Sequence, residues 1–384
     1  MKTLRLLLCT LLILPVLLLP CRAFALEPLR DGEIGIAAPS AILMEKVTGQ
    51  VLYEKNADQR FLPASVTKVM TLLLIVEDIE AGRLSLDDIV TASPRAASFG
   101  GSCVYLEEGE QMSVHEMLKC ITVASANDCA VAMAEHLSGT EALFVERMNA
   151  RAEALGLQNT HFTNCTGLFE DAEHYSSARD IALMSRELIS HPLIKDYSTI
   201  WMDSIRDGSF GLTNTNKLVY WYEGCTGLKT GYTSGAMYCL SATAERDGTE
   251  YIAVIMHAES SDSRNADATA LLNYGFARYG LCSLLPEAPL PALPVELGTV
   301  DSVPLAAVGE SAVLLPKGSA APEYRLALPE RVTAPVAEGD ALGTLTVSLG
   351  GETLAELPVV AAEAVPKIGV GPLFFRLLGS LVGL

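Results

Sequence analysis

The sequence predicts an α+β protein: an antiparallel sheet with flanking helices and an inserted helical subdomain, followed by a small all-β domain. Three observations predict it. Strand-like apolar runs lie at residues 41–55 and again after Lys217. Between them, from about residue 85 to 195, the pattern is mostly helical. Beyond Pro286, Pro289, Pro291 and Pro294 only short strand signals remain, punctuated by Gly and Pro turns.

The elements follow in order. Residues 41–47 and 50–55 flank Thr48-Gly49 and read as a β-hairpin. Pro63-Ala64-Ser65 opens an apolar run that ends near Gly82, a buried helix with Ser65 in its first turn. Residues 114–118, 130–137 and 144–155 exemplify the helical insert. Strands return at 227–233, 238–245 and 251–257, with Arg246-Asp247-Gly248-Thr249 as the turn between the last two. Residues 262–279 form a helix that packs back on that sheet. The module from Val295 to about Val360 contains strands such as 324–328 and 343–347, and no candidate catalytic cluster.

Both ends carry targeting signals. Met1-Lys2-Thr3-Leu4-Arg5 precedes an apolar stretch from Leu6 to about Pro20, closed by Ala23-Phe24-Ala25. This is the pattern of a secretory signal peptide cleaved after Ala25, so the mature chain works outside the cytoplasmic membrane. Residues 368–384 are apolar, but a spanning helix needs about 20 apolar residues, so this tail is marginal at best as a span. Arg376, Gly379, Ser380 and Gly383 make one narrow small-or-polar face. Leu373, Phe374, Leu377, Leu378, Leu381 and Leu384 cover much of the rest, the pattern of an in-plane amphipathic anchor. The expected organisation is a signal at 1–25, the main domain at 26–282, a β-rich domain at 283–366 and an anchoring tail at 367–384.

Charge excludes one class of partner. The formal net charge is −19, and losing Lys2, Arg5 and Arg22 with the signal takes it to about −22. Nucleic acid needs a basic footprint, which is missing. Seven cysteines lie beyond the signal, an odd number without CxxC spacing, so no zinc site or disulfide framework is implied. His115-Glu116 lacks the second histidine of a zincin and reads as a helix-surface pair.

Three short motifs carry chemistry: Ser65-Val66-Thr67-Lys68, Ser125-Ala126-Asn127 and Lys229-Thr230-Gly231. Each alone has an ordinary structural explanation: a helix cap, a second cap, a strand with a glycine. In this order and context they describe a serine acyltransferase whose base is a lysine. Ser65 and Lys68, three apart at a helix start, share a face. A lysine accepts a proton at neutral pH only if its pKa falls far below ~10.4, through burial or a nearby cation such as Lys229. Ser125 can relay a proton from Lys68 to a leaving amine, and Asn127 can hold the acyl-side amide. Lys229 and Thr230, on an edge strand, offer a charge and a hydroxyl to a carboxylate. Gly231 lets an extended peptide approach that strand.

The chain resembles the D-alanyl-D-alanine carboxypeptidases, the low-molecular-mass penicillin-binding proteins. The resemblance runs from about Pro39 to Tyr279 and continues loosely into the β module. It rests on Pro63-Ala-Ser-Val-Thr-Lys-Val-Met-Thr, Ser125-Ala-Asn-Asp, His174-Tyr-Ser-Ser-Ala-Arg-Asp and Gly227-Leu-Lys-Thr-Gly-Tyr-Thr. It implies the β-lactamase/penicillin-binding transpeptidase-like fold, with Ser65 as acylated nucleophile and Lys68 as its base. Ser125 and Asn127 would form the second motif, and Lys229, Thr230 and Gly231 the third. The backbone N–H groups of Ser65 and Tyr232 would make the oxyanion hole. Arg264 matches a family arginine that holds the terminal carboxylate. The implied substrate is the peptidoglycan stem peptide, with β-lactams as inhibitors and no metal or organic cofactor. A D,D-endopeptidase would use the same residues. A class A β-lactamase would need a Glu-x-x-Leu-Asn loop that is missing after the second motif. A silent cell-wall-binding relative would have no reason to keep all three motifs.

Overall fold

The computed structural model describes Pro28 and residues 34–382. The proposed signal segment lies outside the described residues. The chain divides into two compact units, one on Leu26–Leu281 with Leu314–Lys317, the other on Cys282–Val313 with Gly318–Leu384.

The first unit is built on a five-stranded antiparallel sheet. Strands β1 (Ser40–Glu45) and β2 (Val51–Lys55) form the expected hairpin, and helix α1 (Lys68–Glu80) follows. The inserted subdomain contains α2 (Val114–Val123), α3 (Asn127–Ser138), α4 (Glu141–Ala154) and α5 (Ala178–Leu188). Strands β3 (Cys225–Thr233), β4 (Met237–Arg246) and β5 (Thr249–Ala258) complete the sheet in the order β2-β1-β5-β4-β3. The edge position expected for the third motif is therefore realised. Asp247 and Gly248, both at positive φ, make the tight turn between β4 and β5. Helix α6 (Ser261–Arg278) starts at Ser260, whose hydroxyl caps the Ser263 N–H at 3.0 Å.

Period-two patterning separates the two faces of the sheet. Ala41, Leu43, Tyr251, Ala253 and Ile255 pack with Leu271, Leu272 and Phe276 of α6. Ile42, Met44, Ile252, Val254 and Met256 face the other way, toward α1, α5 and the inserted helices. Helix α1 is apolar nearly all round and buried from Lys68 to Val76, so it forms the axis of that second core. A helix in that position holds whatever stands at its N-terminus against the sheet edge.

The second unit holds a four-stranded antiparallel sheet, ordered Leu305–Ala307, Glu352–Ala361, Ala341–Leu349, Glu323–Ala327. A three-stranded sheet accompanies it, with Leu293–Glu296 between Ser302–Val303 and Val332–Thr333. Leu293, Val295, Val303, Val336 and Val365 make its core. Helix α7 (Val370–Val382) ends the described chain. Among the described residues no helix is long and apolar enough to cross a membrane.

Candidate active site

Ser65 occupies a 3-10 turn, Ala64–Thr67, that runs directly into α1 at Lys68. The sequence pattern placed Ser65 in the first α-turn; the observed turn is tighter. The difference matters, because side chains three apart eclipse one another in a 3-10 turn. Lys68 Nζ accordingly lies 3.0 Å from Ser65 Oγ. Ser65 is only partly buried, whereas Lys68 is completely enclosed.

Two further atoms surround the Lys68 nitrogen. Asn127 Oδ1 is at 2.5 Å and the Thr166 carbonyl at 3.1 Å. No carboxylate pairs with Lys68 among the described residues. Burial lowers its pKa to about 7, against a smaller opposing pull from groups including Asp128. The buried amines of Lys68 and Lys229 disfavour each other's charge, as the sequence suggested, and Lys229 is itself held well below its ordinary range by burial first, then by Lys68 and Arg264.

The second motif bridges α2 and α3. Ser125 adopts a left-handed backbone (φ 62°), a costly geometry for a residue with a Cβ. Its hydroxyl is buried and has no hydrogen-bond partner among the described residues; no bond joins it to Lys68. Asn127 is the first residue of α3, and Ala126, not Asn127 or Asp128, holds the cap position. The Asn127 amide is engaged on both sides, its Nδ2 donating to Gly100 O at 2.8 Å while Oδ1 accepts from Lys68.

The third motif runs along β3. Lys229 is buried and donates to the Thr230 carbonyl at 3.0 Å; Thr230 Oγ1 meets Thr215 Oγ1 at 2.8 Å. A Cβ on Gly231 would lie 2.7 Å from Pro63 O and 3.0 Å from Ser65 N. The partner that requires glycine here is thus the Ser65 turn of the chain itself. Tyr232 is exposed, and its ring lies 4.4 Å from that of Tyr238, over which Arg264 sits at 6.0 Å. Arg264 is buried in the first turn of α6, bonded to Asn265 Oδ1 at 3.1 Å from both Nε and Nη2. Neither Lys229 nor Arg264 has a carboxylate partner among the described residues.

Sequence reasoning missed the wall opposite β3. Gly167 packs so closely that a Cβ there would fall 1.8 Å from Ala64 O. His174 accepts from the Thr163 N–H at Nδ1 (3.0 Å), so Nε2 carries the proton and donates to Thr67 Oγ1 at 2.8 Å. Burial lowers its pKa to about 4, which keeps it neutral. That bond joins His174 to the serine turn.

One group of potential metal ligands converges among the described residues: Glu77, Glu187 and His191. Arg151 already bonds Glu77 at 2.8 Å and Glu187 at 2.6 Å, and His191 Nδ1 meets Glu80 at 2.7 Å. This is an ion-pair network, and none of its members belongs to the three motifs.

Comparison with known proteins agrees with the geometry. The family model described as D-alanyl-D-alanine carboxypeptidase matches residues 27–260, and that of the penicillin-binding protein 5 C-terminal domain matches 289–367. The D-alanyl-D-alanine carboxypeptidase DacF of Bacillus subtilis is 42% identical over 357 residues, 91% of this chain and 92% of the relative. Penicillin-binding protein 5 from Haemophilus influenzae superposes with a TM-score of 0.73 at 30% identity, covering 86% of this chain and 98% of that one. Penicillin-binding protein D2 from Listeria monocytogenes, in its ampicillin-bound form, gives 0.58 at 31% identity, covering 63% and 98%. The chain is a serine peptidase of the penicillin-binding fold. It belongs to the D-alanyl-D-alanine carboxypeptidase family.

Proposed function

We propose that this protein removes the terminal D-alanine of peptidoglycan stem peptides through an acyl-enzyme on Ser65. The observation that carries the reading is the enclosed Lys68 amine 3.0 Å from Ser65 Oγ, with a pKa of about 7. A neutral amine has two N–H donors and one lone pair. Asn127 Oδ1 and Thr166 O take the two donors. The lone pair is left for the Ser65 hydroxyl.

Ser65 Oγ attacks the carbonyl carbon of the penultimate residue while its proton passes to Lys68 Nζ. The N–H groups of Ser65 and Tyr232 hold the oxyanion. The tetrahedral adduct collapses, the C–N bond breaks, and the leaving amine takes up a proton through the otherwise unbonded Ser125 hydroxyl. Water then hydrolyses the ester. Asn127 borders the acyl-side amide, while Lys229, Thr230 and Arg264 receive the terminal carboxylate. β-Lactams acylate the same serine.

The carboxylate clamp has a direct check. A peptide with an amidated C-terminus should turn over at least about tenfold more slowly than the free acid, because a charge-assisted contact is lost at a buried site. Equal cleavage of the two would remove Lys229 and Arg264 from this role.

Export by the 1–25 signal and membrane attachment by the tail complete the reading, with domains at 26–282 and 283–366 between them. Two features of α7 support the anchor. Arg376, itself exposed, is paired at 3.0 Å with Asp301 and at 3.2 Å with Gly298 O, while Val370, Phe374, Phe375 and Leu378 are exposed without such polar partners on the helix. Deleting residues 367–384 should release active enzyme from membranes. If the truncated protein still sediments with them, the tail is not the anchor.

A further inference from the structure

The segment from Asn164 to Glu170 touches three separate parts of the site. Asn164 Oδ1 accepts from the Thr166 and Gly167 N–H groups at 3.1 and 2.6 Å, fixing a tight turn. From that turn Thr166 O reaches Lys68, and Gly167 packs on the Ser65 turn. Three residues on, Glu170 Oε1 accepts from Gly235 N–H at 2.6 Å and from Ser234 Oγ at 3.0 Å. Ser234 and Gly235 lie in the turn that joins β3 to β4, two residues beyond Tyr232. The fit is close: a Cβ on Gly235 would lie 2.9 Å from Glu170 Oε2 and 3.0 Å from Leu62 Cδ1.

Along its length strand β3 is held by the close approach of Gly231 to the Ser65 turn and by the Thr230–Thr215 bond, and Glu170 acts at its end. The strand is the edge of the sheet, paired with β4 on one side only. Within its closing turn, the Ala236 N–H to Thr233 Oγ1 bond (3.1 Å) ties the turn to itself, and Ala236 O meets His257 Nδ1 of β5 at 3.2 Å. Hydrogen bonds from a backbone N–H to a carboxylate are of the stronger, charge-assisted kind. The Gly235 N–H first, then the Thr233 and Ser234 hydroxyls, hold the Glu170 carboxyl below its ordinary range.

We propose that Glu170 is a positioning residue, which clamps the β3–β4 turn to the Lys68 wall and so fixes the Tyr232 N–H relative to Ser65. The proposal rests on the acyl-enzyme reading above. Glu170 is exposed, so its substitution opens no core.

The test is the second-order rate of penicillin acylation, expressed per titrated active site, for the full-length protein and its variants. E170A should slow acylation at least about tenfold, the scale of a sub-ångström misplacement of a catalytic group. Its labelled fraction and thermal midpoint should stay at wild-type values. E170Q, whose amide oxygen accepts from the same two donors, should stay within about threefold of wild type. In E170A, the further change S234A should cost nothing more. Wild-type rates in E170A, a loss in E170Q equal to that in E170A, or a reduced labelled fraction at an unchanged rate would each overturn the proposal. If the wild-type protein itself takes no penicillin at Ser65, the acyl-enzyme reading falls, and this proposal with it.

Discussion

Ser65→Ala abolishes both D-alanine release and labelling by a fluorescent penicillin. The expectation follows from how few groups can replace the lost hydroxyl. The amine of Lys68 is directed by Asn127 and Thr166 at the Ser65 position, 3.0 Å away. Ser125 has a free hydroxyl but no bond to Lys68. A serine without a base is a poor nucleophile at neutral pH. The fold should survive the change, since among the described residues the side chain of Ser65 makes a single hydrogen bond, worth about 1 kcal/mol net. An inactive variant with an unchanged melting curve is the predicted pair of results. Persistent labelling of Ser65→Ala would move the nucleophile elsewhere, with Ser125 the next residue to substitute.

Lys68→Arg should cost at least about 10²-fold in acylation, the usual scale for losing a general base. A guanidinium stays protonated at any working pH and cannot accept the serine proton. The pH profile gives the same argument a sign. The base form of Lys68 is the active one, so the acylation rate should rise as pH passes upward through about 7 and then level off. In Lys68→Arg that rising limb should vanish. A flat wild-type profile across this range, or near-normal acylation by Lys68→Arg, would remove Lys68 from the mechanism.

Much of this was readable from local sequence. The three motifs are short contiguous runs, and each marks its own element: a helix start, a junction between helices, an edge strand. The strand pattern that alternates Ile252, Val254 and Met256 with Tyr251, Ala253 and Ile255 is a local signal of a sheet covered on both faces. What escaped was of two kinds. Apolar periodicity does not separate a 3-10 turn from an α-turn over four residues, so the shared face of Ser65 and Lys68 was legible but the tighter turn that aligns them was not. The other contacts join residues far apart in sequence: Thr166 O to Lys68, Glu170 to Gly235, Asn127 to Gly100, Thr215 to Thr230. Two of these use a backbone carbonyl, which leaves no side-chain signature. Gly231 shows the same limit. Its need for space was legible, but the neighbour that needs it is the serine turn.

The central claim is a covalent acyl-enzyme on Ser65, and mass spectrometry tests it most directly. The mature protein is incubated with benzylpenicillin, its intact mass is measured, and the adduct is mapped after trypsin digestion. The account predicts a gain of one penicilloyl group, carried by the peptide spanning residues 61–68. No mass gain, or an adduct on any other peptide, would contradict it.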